Sequence, residues 1–459
     1  MADLRVYSSP TLSSATHATD GARVPQELVD YTIDFLHDDI STLRTSSLVS
    51  RWWLPASSFH LFACVRWPPC KHQWDALAES IDDACRCHLV GDTDTLEELL
   101  LLLSSAPRIC NNVRDLRIAM SWHKQGSFWT NERFISTSPH QLVTILDLVP
   151  SVSRLEILNL SFGPQASSIS SHTALRRLEE LALVLPLHRR DIDYPCIKSF
   201  LSYFQAISTL VFGFQFRAGQ AAEISLNLLL PPAPPIQVNK LELQHISYHD
   251  GSVWLSLLLE CIDMATLTSF SLEDNHSLGG GFLTPTMHNF LRCCTNLRSL
   301  TCYRGAFRTL VSYPTPCLTL HQLHFLGNCI FDAYVGVHRS DWDAISEIMT
   351  CPLASAVQDA TLDFMFIKRI TGLPNDSIDL FEQQLRAILE SLDWTALSDS
   401  CRRLQSFTME LRLYVEKPRD SQIWEGDREM CRAMAENVVQ DRLSVPAQLN
   451  FKLRISYSF

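Results

Sequence analysis

A six-residue pattern, apolar-x-x-apolar-x-apolar, recurs along most of this 459-residue chain and restricts its possible folds more than any other feature. It appears as Val113-Arg-Asp-Leu116-Arg-Ile118, Leu155-Glu-Ile-Leu158-Asn-Leu160, Leu178-Glu-Glu-Leu181-Ala-Leu183 and Ile207-Ser-Thr-Leu210-Val-Phe212. Further copies start at Val238, Leu267, Leu297, Leu320, Val357 and Leu404, and an alternating segment from Phe451 to Tyr457 follows them. The alternation closing each copy predicts a strand with one apolar and one polar side. Helical segments are expected between copies, at 141–149, 197–206, 252–262, 286–294, 341–349, 378–394 and 427–443. A strand–helix unit that cannot bury its apolar side alone must stack on its neighbour, so the expected class is α/β with units added in series. The competing arrangement, a doubly wound enzyme-like sheet, buries both faces and reads as near-continuous Val/Ile runs. Here Arg117, Asn159, Glu242, Ser271 and Thr408 interrupt the apolar positions, which favours one wet face.

That wet face supplies one set of candidate binding residues, for a protein target: Arg117, Asn159, Glu180, Glu242, Glu273, Tyr303, His324, Asp363 and Glu410. Several are acidic, so a basic segment on the target is the expectation. Pro231–Pro235 reads as a stiff turn between units, and Gly279–Gly281 as a loop into a helix starting at Pro285. Glu416–Asp427 reads as a polar insertion.

Ahead of the repeats, Val24–Phe62 carries three short helical patterns. Pro25 suits a first helical position and Glu27 the positive end of the helix dipole. Leu28, Tyr31 or Thr32, Phe35 and Leu36 make an apolar face, and Ser41 is the expected cap of a second helix after the break at His37–Asp39. A third helix is expected from about Val49 through Trp53 towards Phe62. Roughly 40 residues with this much large apolar surface cannot bury it internally, so the module should dock on something.

These residues resemble an F-box: Val24-Pro25-Gln26-Glu27-Leu28, then Ile33 and Leu36, then Leu48-Val49-Ser50-Arg51-Trp52-Trp53. Val24 stands where the family has Leu, and Ser50 where Cys is common. The resemblance implies docking on the small adaptor subunit of a cullin-RING (SCF-type) ubiquitin ligase, through Val24, Pro25, Glu27, Leu28, Ile33, Leu36, Leu48, Val49, Arg51 and Trp53. Trp53 is expected to anchor the three helices to one another. The repeats resemble an irregular leucine-rich-repeat domain, a curved sheet lined by helices, with Asn275 and Asn328 at the family's ladder position. An F-box followed by such repeats resembles F-box proteins of mushroom-forming fungi. Together these imply a non-catalytic substrate receptor that carries a protein target to the ligase. The alternative is a repeat scaffold in which the N-terminal helices only cap the array.

The domain organisation expected is a disordered leader over 1–22, the helical module over 23–64, a helical connector over 65–110 and the repeat domain over 111–459. Within the connector, 62–67 reads as a strand, and 72–87 and 93–105 as helices. The net charge of −12 argues against nucleic acid and anionic membrane as partners, and mean hydropathy of +0.03 is that of a globular chain. No apolar run approaches a membrane span and no signal peptide is visible. The fifteen cysteines are scattered through apolar segments, as free buried thiols in a cytoplasmic or nuclear protein would be.

Chemical motifs are missing. No phosphate-binding glycine loop and no Gly-x-Ser-x-Gly elbow occurs, and no cofactor is expected. Cys85-Cys87-His88 lacks a second ligand pair at zinc spacing, and Cys293–Cys294 reads as helix core. His321 and His324 flank a strand without a partner motif.

Overall fold

The computed structural model describes residues 24–67, 96–119, 123–125, 128–130, 136–158, 161–162, 175–186, 194–215, 234–244, 248–273, 284–303, 319–331, 356–369, 386, 403–416, 433, 437 and 450–458. The expected leader, the helices at 72–87 and 341–349, the Gly279–Gly281 loop, Asn275 and the Cys85-Cys87-His88 cluster lie outside these residues, as do most of the 416–427 insertion and all of the expected helices at 378–394 and 427–443 except Arg386, Ala433 and Asn437, which are helical.

Three helices open the described chain: α1 (Gln26–Phe35), α2 (Ile40–Val49) and α3 (Leu54–Leu61). Pro25 sits at the N-cap of α1, one residue earlier than expected, and Glu27 lies in the first turn. The cap of α2 is Asp39, whose carboxylate accepts the Thr42 N–H at 3.0 Å; Ser41 lies inside the helix and donates to the same carboxylate. A carboxylate two residues upstream of Ser41 reaches the free N–H groups and brings negative charge to the helix start. The third helix begins at Leu54, later than expected, because residues 51–53 form a turn. Val29, Ile33 and Leu43 are the buried core of this module, with Leu36, Trp53, Ala56 and Leu61 packed against it. The buried side of α1 is therefore Val29 and Ile33; the expected apolar face of Leu28, Tyr31 and Phe35 points outwards. Nε2 of His60 lies 2.8 Å from an Asp34 carboxylate oxygen and ties α3 to α1, and Gln26 donates to the Trp52 carbonyl.

The carbonyl of Ala63 accepts the N–H groups of Arg114 and Asp115, so the module joins directly onto the sheet. Strand β1 (Cys64–Trp67) follows at once and pairs with β2 (Asp115–Ala119), placing the start of the sheet inside the segment expected to be a connector. Within that segment, α4 (Leu96–Ser105) and the short α5 (Pro107–Cys110) are helical as expected. Cys64 is disulfide-bonded, which departs from the expectation of free thiols; the described free cysteines include buried Cys110, Cys196, Cys261, Cys294 and Cys302 and exposed Cys293.

Beyond β2 come a small hairpin, β3 (His123–Gln125) with β4 (Phe128–Thr130), and the short pair β5 (Ser136–Thr137) with β7 (Ser161–Phe162). Helix α6 (Pro139–Leu148) starts on a capping box in which Ser138 and Gln141 satisfy each other's N–H groups. The main strands are β6 (Arg154–Leu158), β8 (Arg176–Pro186), β9 (Phe204–Gln215), β10 (Ile236–Gln244), β11 (Ile262–Asp263), β12 (Ser269–Glu273) and β13 (Ser299–Tyr303). They continue as β14 (Gln322–Phe331), β15 (Asp359–Arg369), β16 (Ser406–Glu416) and β17 (Asn450–Ser458). Interleaved are α7 (Tyr194–Leu201), α8 (Tyr248–Cys261) and α9 (Thr284–Cys293). The expected helix at 197–206 stops early, because Phe204 already belongs to β9.

The sheet has thirteen strands, every described pair is parallel, and its path follows chain order from β1 to β17 without a reversal. β11 alone lies off that path, beside β10. A doubly wound sheet reverses its order at a switch point; this one has none among the described strands. One register row runs Val65, Leu116, Leu155, Leu181, Leu210, Leu241, Phe270, Leu300, Leu323 and Ala360, all buried. Helix side chains cover it: Phe212 of β9 meets Trp254 of α8, and Phe270 of β12 meets Phe290 of α9. Register also corrects one repeat. Leu116 pairs with Leu155 and Ile118 with Ile157, so the second copy is Val152-Ser-Arg-Leu155-Glu-Ile157, three residues ahead of the pattern quoted above. No described helix is long and apolar enough to cross a membrane.

Candidate functional site

Helix periodicity splits the N-terminal module into two sides. The small core takes Val29, Ile33 and Leu43, which leaves Val24 (63% exposed), Leu28 (56%), Leu48 (87%) and Val49 (67%) on the outside. Pro25, Glu27 and Arg51 are exposed as well. Those seven of the ten expected docking residues are available to a partner. Of the other three, Ile33 is fully buried and holds the helices together, while Leu36 and Trp53 are half-buried against the core, Trp53 as expected. The reason is angular, since Ile33 lies four residues after Val29 and shares its face, whereas Leu28, one residue before Val29, is turned about 100° round the helix, away from the core.

The same surface carries apolar residues absent from the expected docking set. Tyr31 and Phe35 extend the Leu28 stripe along α1, and Trp52 and Leu54 continue the surface past Val49. The Gln26–Trp52 hydrogen bond holds the start of α1 beside the α2–α3 turn, and the Arg51 guanidinium lies 5.5 Å from the Trp52 ring centroid. Large apolar groups this exposed, on helices whose own core is already filled, are what an interaction surface provides. The Leu28–Tyr31–Phe35 spacing was the available signal: it marked an apolar face on a module expected to dock, but of the three only Leu28 entered the expected docking set.

The second candidate surface is the polar side of the sheet. Residues one position along from the buried row form the row Arg66, Arg117, Glu156, Ala182, Val211, Glu242, Ser271, Thr301, His324, Thr361 and Thr408. Of the expected set, Arg117, Glu242 and His324 fall in this row and are half-buried. Glu180 lies on a parallel row with Asp115, Arg154, Thr209 and Lys240. Asp363 and Glu410 are direct register partners on a third row, Glu273 pairs with Gln244, and Tyr303 pairs with Leu326. Asn159 lies outside the described residues. On β6 the residue that occupies the row is Glu156.

Among the described residues of this face, Glu156 carries a raised carboxyl. Burial pushes it up; the Arg117 guanidinium, 3.2 Å away, pulls it back down, while Asp115 and Glu180 push it further up and Arg66 opposes them. Arg117 also reaches Asp115 at 3.5 Å, so one cation serves two acids, all three side chains about four-fifths buried. Between this cluster and the Lys240–Glu242 pair the row turns apolar at Ala182 and Val211. At Gly213, on the next row, a Cβ would come within 3.1 Å of a Val184 methyl, so the strands approach closely there.

The remaining perturbed groups are packed into the core. Burial pushes the Cys261 thiol up to about 12 and raises Cys302 and Cys110. Tyr203 is raised by burial and by the hydrogen bond it donates to Asp147. Raised thiols are poor nucleophiles at neutral pH. No group of three or more metal-ligating side chains converges among the described residues. What the described arrangement can do chemically is present two surfaces, one apolar and helical, the other polar and stranded. No protein-family model matches the chain, and no curated protein is significantly similar to it.

Proposed function

We propose that this chain is a substrate-receptor subunit of an SCF-type ubiquitin ligase, with residues 24–62 acting as an F-box that docks on the adaptor and the polar side of the sheet holding a protein target. The observation that carries the reading is the separation of core from surface in the module: Leu28, Leu48 and Val49 are exposed while Val29, Ile33 and Leu43 hold the helices together. In this reading the array is an irregular leucine-rich-repeat solenoid, a reading supported by strands in chain order, helices on the apolar side and a repeating register. The receptor makes and breaks no bonds itself. It raises the effective concentration of the target beside the ligase's conjugating machinery.

The test is co-purification of the full chain with the ligase adaptor, comparing the native protein with Leu28→Ala/Leu48→Ala/Val49→Ala. All three changes fall on exposed side chains, so the variant folds. Retention of the adaptor by the native chain and its loss from the variant is the expected result. Failure of the native chain to bind the adaptor overturns the proposal.

A further inference from the structure

The chain contains seven lysines against thirty-one arginines, a skew that composition-neutral needs for positive charge do not explain. None occurs before Lys71, so residues 24–62 carry Arg44 and Arg51 and no lysine, and none occurs between Lys240 and Lys368. The two lysines whose side chains are described are both held in ion pairs. Lys198 on α7 lies 2.7 Å from Glu260 on α8 with its side chain 12% exposed, and Lys240 pairs with Glu242 on the polar side of the sheet.

Arginine and lysine are nearly interchangeable for solubility and surface charge, but not as acceptors of an acyl group. A lysine amine loses a proton and becomes a nucleophile; a guanidinium does not deprotonate in proteins. In ubiquitin transfer, the neutral Nζ attacks the thioester carbonyl between ubiquitin's C-terminus and a cysteine of the conjugating enzyme. The C–N bond forms, the C–S bond breaks, the thiolate leaves, and the amine's proton passes to solvent. A subunit held beside that thioester is itself an acceptor at high effective concentration unless it lacks amines.

We infer that this chain is spared self-modification by its own ligase through replacement of surface lysine with arginine, so that the receptor outlasts the targets it delivers. The inference rests on the receptor reading above. It assigns the low lysine count and the burial of Lys198 to one cause, a shortage of accessible amines.

Arg108, Arg292 and Arg298 are exposed, belong to neither candidate surface and form no ion pair among the described residues, so Arg108→Lys/Arg292→Lys/Arg298→Lys adds three acceptors without changing charge. Native and triple-lysine full chains are compared in a reconstituted ligase with ubiquitin, activating and conjugating enzymes. Each is tested both free and joined by a flexible linker to the adaptor, and receptor-linked ubiquitin is read by mass spectrometry. In the linked form, the native chain is expected to be modified at least several-fold more slowly than the triple variant, with new conjugates on the introduced lysines. Equal modification of native and variant chains in that form overturns the inference while leaving the receptor reading intact. Modification of neither free chain, with no adaptor bound, overturns the receptor reading, and the inference falls with it.

Discussion

Replacing Ile33 and replacing Leu48 with alanine should have opposite consequences, and the contrast tests the division of the N-terminal module into core and surface. Ile33 is fully buried in a core with only Val29 and Leu43 as other fully enclosed members. An Ile→Ala change in such a site costs about 2–5 kcal/mol, from lost transfer energy and the cavity left behind. A unit of this size rarely holds more than about 3–5 kcal/mol from its own core, so the change removes most of its local stability. Leu48 is 87% exposed and its truncation should alter stability by less than about 0.5 kcal/mol. If Leu48 is buried by a partner, however, it contributes roughly 2 kcal/mol to binding, about a 30-fold change in affinity. Amide hydrogen exchange on the full chain reads the first effect, and adaptor titration the second. Ile33→Ala should accelerate exchange across α1–α3 while leaving β6–β13 protected, because the module and the sheet have separate cores. Leu48→Ala should leave exchange unchanged and weaken binding. Unchanged exchange in Ile33→Ala, or acceleration in Leu48→Ala equal to that in Ile33→Ala, would refute the assignment.

Trp254 sits at the centre of the sheet–helix core, fully buried against Phe212, and Trp254→Ala should lower full-chain stability by about 3–5 kcal/mol in chemical denaturation. Asp39 is held down to about 2, chiefly by its side-chain hydrogen bond from Thr42 and then by the Thr42 N–H. A depressed carboxyl stabilises the fold above its unfolded value near 4 and loses that contribution as pH falls towards 2. Asp39→Ala should therefore destabilise the module at pH 6 and converge with the native chain near pH 2, as read by exchange or circular dichroism. Glu156 has the opposite sign. Its raised value favours the folded state most at low pH and disfavours it as pH rises through that value, and Arg117 supplies the chief compensation. Arg117→Ala should thus be more destabilising at pH 7 than at pH 4; a pH-independent loss in thermal melts would show that Arg117 acts by packing alone.

Much of the fold could be read from the sequence because strand periodicity and burial are tied by geometry. Leu116-x-Ile118, Leu181-x-Leu183 and Leu241-x-Leu243 alternate, and each pair is buried as predicted. The second repeat failed because Val152, Leu155, Ile157, Leu158 and Leu160 offer two overlapping matches to one pattern, and only pairing with β2 chooses between them. Pairing gives the row position on β6 to Glu156. In α1, every third or fourth position is apolar on two sides, Val29–Ile33 and Leu28–Tyr31–Phe35, and the sequence does not say which is inside. The expected docking set followed the resemblance, so it took Leu28 from one side and Ile33 from the other, and only the packing separates exposed Leu28 from buried Ile33. The cap at Asp39 was missed because Ser41 and Asp39 are both good capping residues two positions apart, and the exact helix start decides.

Strand order also constrains how any ligand can meet this sheet. An open sheet that reverses direction of winding creates a crevice at the reversal, where a small molecule finds groups converging from several loops. A sheet laid down in chain order has no such point; it offers rows of side chains, each contributed by a different strand about 4.8 Å from the next. From Arg66 to Glu242 the central row spans six strands and changes character three times, from cationic to acidic to apolar and back to acidic. A ligand that matches such a row must itself be extended and chemically varied along its length, as a polypeptide segment is. Recognition then depends on several modest contacts, and the half-exposed Lys240–Glu242 pair alone contributes at most about 1 kcal/mol. Loss of binding should accordingly require substitutions on well-separated strands, Arg117 together with Glu242 for example, whose effects add because the two residues share no partner.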